Sequence, residues 1–306
     1  MTTNVGESPT TIDADDVAQA LREAGLNPAD VLATIDRALD EDLAYGPDVT
    51  TEAIFAPADR ATAWVASRQD GCLAGLPVAA AAIHRLAQRM DVIAQVTLLA
   101  HDGQRVRPGD RVLRVEAPLR CLLTSERTML NLLGQLSGVA TQTARWADAL
   151  AGSDAVIRDT RKTVPGLRTL QKYAVRCGGG QNHRMGLGDA ALIKDNHVAA
   201  AGGITQAIEA VRRHAPDVAC EVECDTLDQV REAVGAGAQL VLLDNMPPEI
   251  MARAVAICRP AGVKTEASGG LLLADAAAVA PTGVDYVSVG ALTHSSRVLD
   301  LGLDMD

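Results

Sequence analysis

The sequence predicts an α/β protein: an α+β first half followed by a β/α barrel or partial barrel. Three observations carry this. From about residue 150 onward, short apolar runs alternate with helical stretches at regular spacing, and strand–helix–strand units punctuated by Gly and Pro build a parallel sheet. The carboxyl ends of those runs read RDTRKT, LIKDNH, EVECD, LLDN, EASGG and SVGALTH, six polar ends in succession, as around the active face of a barrel. No G-x-G-x-x-G follows a strand, which counts against the alternative, a doubly wound open sheet.

Taken in order, residues 1–28 read as a loose lead-in around a short helix near Asp15–Ala24. Val31–Glu41 predicts a helix, followed by the turn-rich Tyr45–Gly46–Pro47–Asp48. Strands are expected at Ala61–Arg68, Val92–Leu99 and, after a turn at Arg107–Asp110, Arg111–Val115, with an Ala-rich helix at Pro77–Arg89. Thr124–Leu150 predicts a long helix capped by Thr124 or Ser125, with Gly134 and Gly138 as points of breakage or close packing. The six barrel strands are Val156–Arg158, Ala191–Lys194, Ala219–Glu223, Leu240–Leu243, Lys264–Glu266 and Tyr286–Val289. Helices are expected at Ile204–His214, Leu227–Ala236, Pro248–Cys258 and Leu272–Ala280.

The 306 residues suffice for one large or two medium domains with a real core. With 48% hydrophobic and 22% charged residues the composition is that of a globular chain. A net charge of −11 and only 2% aromatic residues argue against a nucleic acid or an anionic membrane as partner. The charge is uneven, however. Arg158 to Lys194 holds eight basic and two acidic residues, +6 in 37 residues, and three of the four lysines fall there. The six cysteines show no zinc-type spacing, so buried thiols in a reducing cytoplasm are expected. The N-terminus has no basic segment followed by an apolar run, and no run is long enough to span a bilayer.

The strand ends sort by charge. Arg161, Lys162 and Lys194, with His183 and Arg184 in the intervening loop, bring cations; Glu223 and Asp244 bring carboxylates. Ser268–Gly269–Gly270 and Gly290–Ala291 are loops whose backbone N–H groups suit a phosphate. Arg forks match planar carboxylates, and two carboxylates suit ribose hydroxyls or a hydrated Mg²⁺. The residues alone therefore describe a phosphorylated sugar meeting a dicarboxylic or polyanionic small molecule. Arg168, Lys172 and Arg176 read as solvating a helix, Arg158 as structural, and His197 as either a ligand or a satisfied neighbour.

RDTRKTVPGLRTLQKYAVRCGGGQNHRMGLGDAALIKDNH, with TSERTMLNLLGQLSGVAT, EVECDTLDQV, VLLDN, EASGG and VSVGALTHS in the same order, resembles the signature of the quinolinate phosphoribosyltransferases. The likeness runs from about Asp40 to the C-terminus. It implies an open, partial, seven-stranded β/α barrel with an N-terminal α/β sandwich domain: the lead-in 1–28, a sandwich over 29–130 joined by 295–306, and the phosphoribosyltransferase barrel over 131–294. It implies the conversion of quinolinate and 5-phosphoribosyl-1-pyrophosphate to nicotinate mononucleotide, CO₂ and pyrophosphate with Mg²⁺, in de novo NAD biosynthesis. By motif, Arg161, His183, Arg184 and Lys194 grip quinolinate, joined by Arg127 reaching across from a second subunit of a homodimer or higher oligomer. Lys162, with Thr160, lies by the phosphoribosyl donor. Glu223 and Asp244 hold ribose hydroxyls and metal. Ser268, Gly269, Gly270, Gly290 and Ala291, with His294, form the phosphate pocket. Lys162, Glu223 and Asp244 are the expected catalytic residues. Two other functions suit the same chemistry: a paralogous phosphoribosyltransferase for another acid, and a non-catalytic dianion-binding relative.

Overall fold

The computed structural model describes residues 9–305, so the first eight residues of the expected lead-in lie outside the described residues. The chain divides into two compact units: Met1–Gln142 with Val164–Gly178 and Ser296–Asp306, and Thr143–Thr163 with Gly179–Ser295. No helix among the described residues is long and apolar enough to cross a membrane.

The first unit opens with β1 (Thr10–Ile12), α1 (Val17–Glu23), α2 (Pro28–Asp42) and α3 (Val49–Ile54). Then come β2 (Arg60–Ser67), β3 (Gly71–Cys72), α4 (Leu76–Arg89), β4 (Gln95–Leu98), β5 (Arg105–Val106), β6 (Arg111–Pro118) and α5 (Leu119–Ala149). Strand β1 and helix α3 are additions to the sequence expectation. Three residues are too short to show alternation, yet Thr10–Ile12 pairs antiparallel with β4. Asp48 both ends the predicted turn and caps α3, accepting from Thr51 N–H at 3.0 Å. Helix α2 starts at Asn27, whose side chain caps it, and at Pro28. Its Val31, Ile35 and Leu39, spaced at four residues on one face, are buried, each contributing about 1.5–3 kcal/mol. Helices α1 and α2 pack on α4, and Arg85 and Arg89 of α4 bind Asp36 of α2 at 2.7 Å. Both cations hold the Asp36 carboxyl at about 2.

The second unit supplies β7 (Val156–Arg158). Helix α6 (Arg168–Cys177), which belongs to the first unit, follows it in sequence. Next come β8 (Ala191–Ile193), α7 (Asp195–Ala201), α8 (Ile204–His214), β9 (Cys220–Cys224), α9 (Leu227–Gly235) and β10 (Leu240–Asp244). The unit ends with α10 (Pro248–Cys258), β11 (Lys264–Ser268), α11 (Ala276–Val279), β12 (Tyr286–Ser288) and α12 (Ala291–His294). The strands pair in parallel in the order β7-β12-β11-β10-β9-β8, the partial barrel. All six expected strands are present. Beyond them, one bridge joins Arg158 and Gln181, and the next backbone groups bind side chains: the Asn182 carbonyl accepts from Arg158 Nη2 at 3.3 Å and the His183 N–H donates to Asp159 at 2.9 Å. The expected helix Leu272–Ala280 is likewise a 3₁₀ turn, the single-turn α11 and a second 3₁₀ turn at Ala280–Thr282, since Asp275 takes the Leu272 N–H and Pro281 withholds a donor.

Alternation fixes what each barrel strand presents. Val222, Cys224, Val241, Leu243, Thr265 and Ala267 are buried on one face, while Glu221, Glu223, Leu242, Asp244, Glu266 and Ser268 take the other. The last strand, β13 (Leu301–Met305), returns to the first unit and pairs antiparallel with β2, giving the sheet order β1-β4-β6-β2-β13. Gly134 and Gly138 do not break α5; they let the chain before β13 cross it. A Cβ at Gly138 would lie 2.1 Å from the Arg297 carbonyl oxygen, and one at Gly134 2.8 Å from Val298. Lys172 corrects the sequence expectation. It sits fully buried in α6, among Leu170 to Val175, rather than solvating the helix.

Candidate functional site

The carboxyl ends of the barrel strands enclose a cavity of about 320 Å³. Thr160, Arg161 and Lys162 enter it just after β7, and Lys194 just after β8. His183 and Arg184 come from the loop that Asp159 ties down. Glu223, Asp244 and Ser268 point in from β9, β10 and β11, with Gly269 following. Ten of the residues expected from the sequence thus meet around one space. Gly270, Gly290, Ala291 and His294 do not line it. A Cβ on Gly290 would nonetheless lie 3.0 Å from the Lys162 stem and 3.2 Å from His294 Nε2. Thr293 Oγ1 donates to the Lys162 carbonyl at 2.8 Å. The glycine loop and α12 therefore brace Lys162. Arg127 lies on α5 in the first unit, 64% exposed, with Glu126 at 3.8 Å.

The cations are held under tension of like charge. Arg184 has its affinity for a proton lowered by burial and by neighbouring Arg161, and its buried Nε has no hydrogen-bond partner. Such a pair of guanidinium groups favours an anion between them. Lys194 Nζ contacts the Glu223 carboxylate closely, joining the cationic and acidic sides of the rim. His197 donates nothing to the cavity; its Nδ1 accepts from the Lys194 N–H at 2.9 Å, closing the first turn of α7. It is the satisfied neighbour of the two readings left open.

Gly269 shows why glycine is needed in the expected phosphate loop. Its φ is +99°, and a Cβ there would lie 2.7 Å from the Asn245 backbone nitrogen. Asn245, itself at φ 52°, donates through Nδ2 to Asp244 Oδ2 at 2.6 Å, which orients that carboxylate while leaving Oδ1. Two hard carboxylates on adjacent strands, one with an oxygen to spare, fit a magnesium ion that retains waters.

Below the rim lies a cluster that the sequence expectation missed. His183, Glu221 and Glu266 are buried, and their ligand atoms lie within 4.8 Å of one another. His183 Nδ1 accepts from the Arg184 N–H at 2.7 Å, so the ring proton sits on Nε2, 2.9 Å from Glu221 Oε2 and 3.6 Å from Glu266 Oε1. A nitrogen carrying a proton cannot ligate a metal, and the cluster is a hydrogen-bonded floor. Glu266 Oε2 accepts from Arg158 Nη1 at 2.7 Å, and the Arg158 guanidinium stacks 4.4 Å from the Tyr286 ring. Arg158 is structural, as expected. Burial and the nearby Glu221 push the Glu266 carboxyl above its ordinary value. The alternation in EVEC already places Glu221 on the face of Glu223, and that in TEAS places Glu266 on the face of Ser268; Asp159 carries no comparable signal.

Comparisons with known proteins agree with this geometry. A family model described as quinolinate phosphoribosyl transferase, C-terminal domain, matches residues 139–304, and the N-terminal domain model of the same family matches residues 48–137. The nicotinate-nucleotide pyrophosphorylase (carboxylating) of Mycobacterium leprae is 50% identical over 278 residues, covering 89% of this chain and 96% of that protein. A probable enzyme of the same name from Bacillus subtilis is 43% identical over 266 residues, covering 87% and 90%. The crystal structure of NadC from Streptococcus pyogenes superposes with a TM-score of 0.86 at 37% identity, covering 92% of this chain and 98% of that one. In sequence over most of its length, and in fold, the chain belongs to the quinolinate phosphoribosyltransferase family.

Proposed function

We propose that the cavity at the barrel strand ends joins quinolinate to 5-phosphoribosyl-1-pyrophosphate, releasing pyrophosphate and CO₂ and leaving nicotinate mononucleotide, in de novo NAD biosynthesis. One observation carries the reading. Arg161, Arg184 and Lys194 share a single cavity with Glu223, Asp244 and the Ser268–Gly269 loop, so a dianion and a phosphorylated sugar are accommodated side by side.

The dianion enters between Arg161 and Arg184, whose mutual repulsion it relieves, and Lys194 adds a third cation. Glu223 and Asp244 accept from the ribose hydroxyls. The glycine loop takes the 5-phosphate, while Gly290, with His294 beside it, and Thr293 pack against Lys162. Lys162 faces the departing pyrophosphate, and Thr160 Oγ1, which accepts from the Lys162 N–H at 3.0 Å, holds the start of that loop. Magnesium, held by Glu223 and Asp244 partly through water, would supply further neutralisation of the leaving group. As pyrophosphate departs, positive charge grows at ribose C1, and the two carboxylates stabilise it. The pyridine nitrogen then attacks C1, and alignment of the two substrates supplies much of the rate. The ring is now cationic and accepts the electron pair when the adjacent C2 carboxylate leaves as CO₂.

The complete site needs a second subunit. Arg127 is 64% exposed. The segment packed beside it, tied to α5 through Thr124–Asp48 and Arg120–Glu52 hydrogen bonds, exposes Tyr45, Val49 and Ile54. Apolar residues around an exposed arginine suit an interface between two copies, through which Arg127 reaches the partner's dianion. All six cysteines are unbridged thiols, in keeping with a reducing cytoplasm.

Purified protein supplied with quinolinate, 5-phosphoribosyl-1-pyrophosphate and Mg²⁺ forms nicotinate mononucleotide, detected by chromatography. Turnover of another acid in preference to quinolinate, or ligand binding with no turnover, overturns the assignment.

A further inference from the structure

Nicotinate mononucleotide carries hydrogen where quinolinate carries its C2 carboxylate, so every turnover consumes a proton at ring carbon C2. Resting on the reaction proposed above, we propose that Glu266 is the acid that delivers this proton. Arg161 and Arg184 hold theirs too tightly to give one up at neutral pH, and Lys194 is engaged by Glu223. The Nε2 proton of His183 points to Glu221, and its Nδ1 is an acceptor. Two buried carboxylates here, Glu221 and Glu266, each keep an oxygen that makes no hydrogen bond, and of the two only Glu266 lines the cavity; its free oxygen lies 3.6 Å from His183 Nε2. Glu266 is fully buried, yet it lines the cavity floor. Its Oε2 is taken by Arg158, while Oε1 has no hydrogen-bond partner.

The location suits C2. The ring nitrogen must face ribose C1, and hence Glu223 and Asp244, while the carboxylates face Arg161, Arg184 and Lys194. C2 is bonded to that nitrogen and carries one of those carboxylates, so it lies between the two groups. Glu266 pairs across β10 with Leu242, which pairs in turn with Glu223, one step below Asp244 and Ser268. The floor beneath C2 is thus the middle of β9 to β11.

The groups facing Glu266 set its proton. Glu221 on β9 and burial favour the acid form; Arg158 on β7 and the His183 Nε2–H oppose it, as does Ser288 on β12. The net effect raises the carboxyl above its ordinary value, with burial the largest cause. In the step, the C2–carboxylate bond breaks and its electron pair stays on C2. The Glu266 O–H bond breaks and a C2–H bond forms. Glu266 is left as a carboxylate paired with Arg158, and solvent restores its proton after the nucleotide leaves.

The test compares wild type with Glu266→Gln and Glu266→Asp in equal parts H₂O and D₂O, reading deuterium at C2 of the nucleotide by NMR alongside kcat and KM. The proposal predicts that Glu266→Gln, which keeps an acceptor for Arg158, loses about 100-fold in kcat. Its quinolinate KM stays within about threefold, and its product shows a different deuterium fraction as water becomes the donor. Glu266→Asp, still an acid, restores the wild-type fraction and carries the test if the Gln protein does not fold. Wild-type kcat falls as pH rises and the acid ionises. An unchanged deuterium fraction in Glu266→Gln, or a loss confined to KM, overturns the assignment. Absence of nicotinate mononucleotide from wild type would instead overturn the reaction on which it rests.

Discussion

Arg161 and Arg184 show how single residues divide the work of the site. The two guanidinium groups repel each other, and burial adds to the cost for Arg184, so the pocket is poised for an anion that spans both. A lysine at 184 keeps the charge but loses the fork. Arg184→Lys is expected to raise the quinolinate KM about tenfold, near 1.4 kcal/mol, with a smaller change in kcat, measured by steady-state kinetics. Gly269 is constrained differently. Gly269→Ala forces a Cβ against the Asn245 backbone at positive φ, and a loss of about 1–3 kcal/mol in stability, seen in thermal melts, should accompany weaker donor binding. Most of the charged rim was legible in the sequence because Arg161, Lys162, Lys194, Glu223 and Asp244 follow or end apolar strand runs, whereas Arg184 comes from a loop. The floor was not. Alternation states which face Glu221 and Glu266 share, but how far down the barrel they sit depends on register between strands distant in sequence.

Among the elements, α5 makes the clearest case for packing over propensity. Two glycines in the middle of a 31-residue helix cost helix stability, and the chain before β13 returns the favour by lying across them. Gly138→Ala should therefore destabilise the protein by about 2–3 kcal/mol despite its better helix propensity; increased stability in chemical denaturation would show that the crossing is not tight. The α2–α4 contact predicts acid sensitivity. The Asp36 carboxyl sits at about 2 when folded, against roughly 3.9 unfolded. Its contribution is thus complete above the unfolded value and is lost as pH falls toward 2. Asp36→Asn should be less stable than wild type at neutral pH, and the gap should close between about pH 4 and pH 2. Long periodic elements such as α2 and α4 could be read from sequence nearly to their ends. The three-residue β1 and the single bridge at Gln181 could not, since their partners lie elsewhere in the chain.

For the whole molecule, the −11 average conceals the relevant field. The +6 segment from Arg158 to Lys194 supplies the cations of the rim, and the surrounding acidity does not prevent a dianion from being held at short range. The fold class was legible because it follows from the rhythm of strands and polar ends; the expectation for Arg127 came from the resemblance of its motif, and the structure adds that the side chain is 64% exposed. If Arg127 completes a neighbour's site, mixing Arg127→Ala with Lys194→Ala protein should restore activity to about a quarter of wild type, because half of the dimers pair the two variants and each has one intact site. No recovery after demonstrated subunit exchange contradicts a shared site. The central claim is that one cavity couples ribosyl transfer to loss of CO₂, with the ring's new positive charge as the link. It is tested most directly with quinolinate carrying ¹³C in its C2 carboxylate. Labelled CO₂ should appear only when 5-phosphoribosyl-1-pyrophosphate is present, and in equal amount to nicotinate mononucleotide. Labelled CO₂ without the sugar donor, or nucleotide formed without it, would contradict the account.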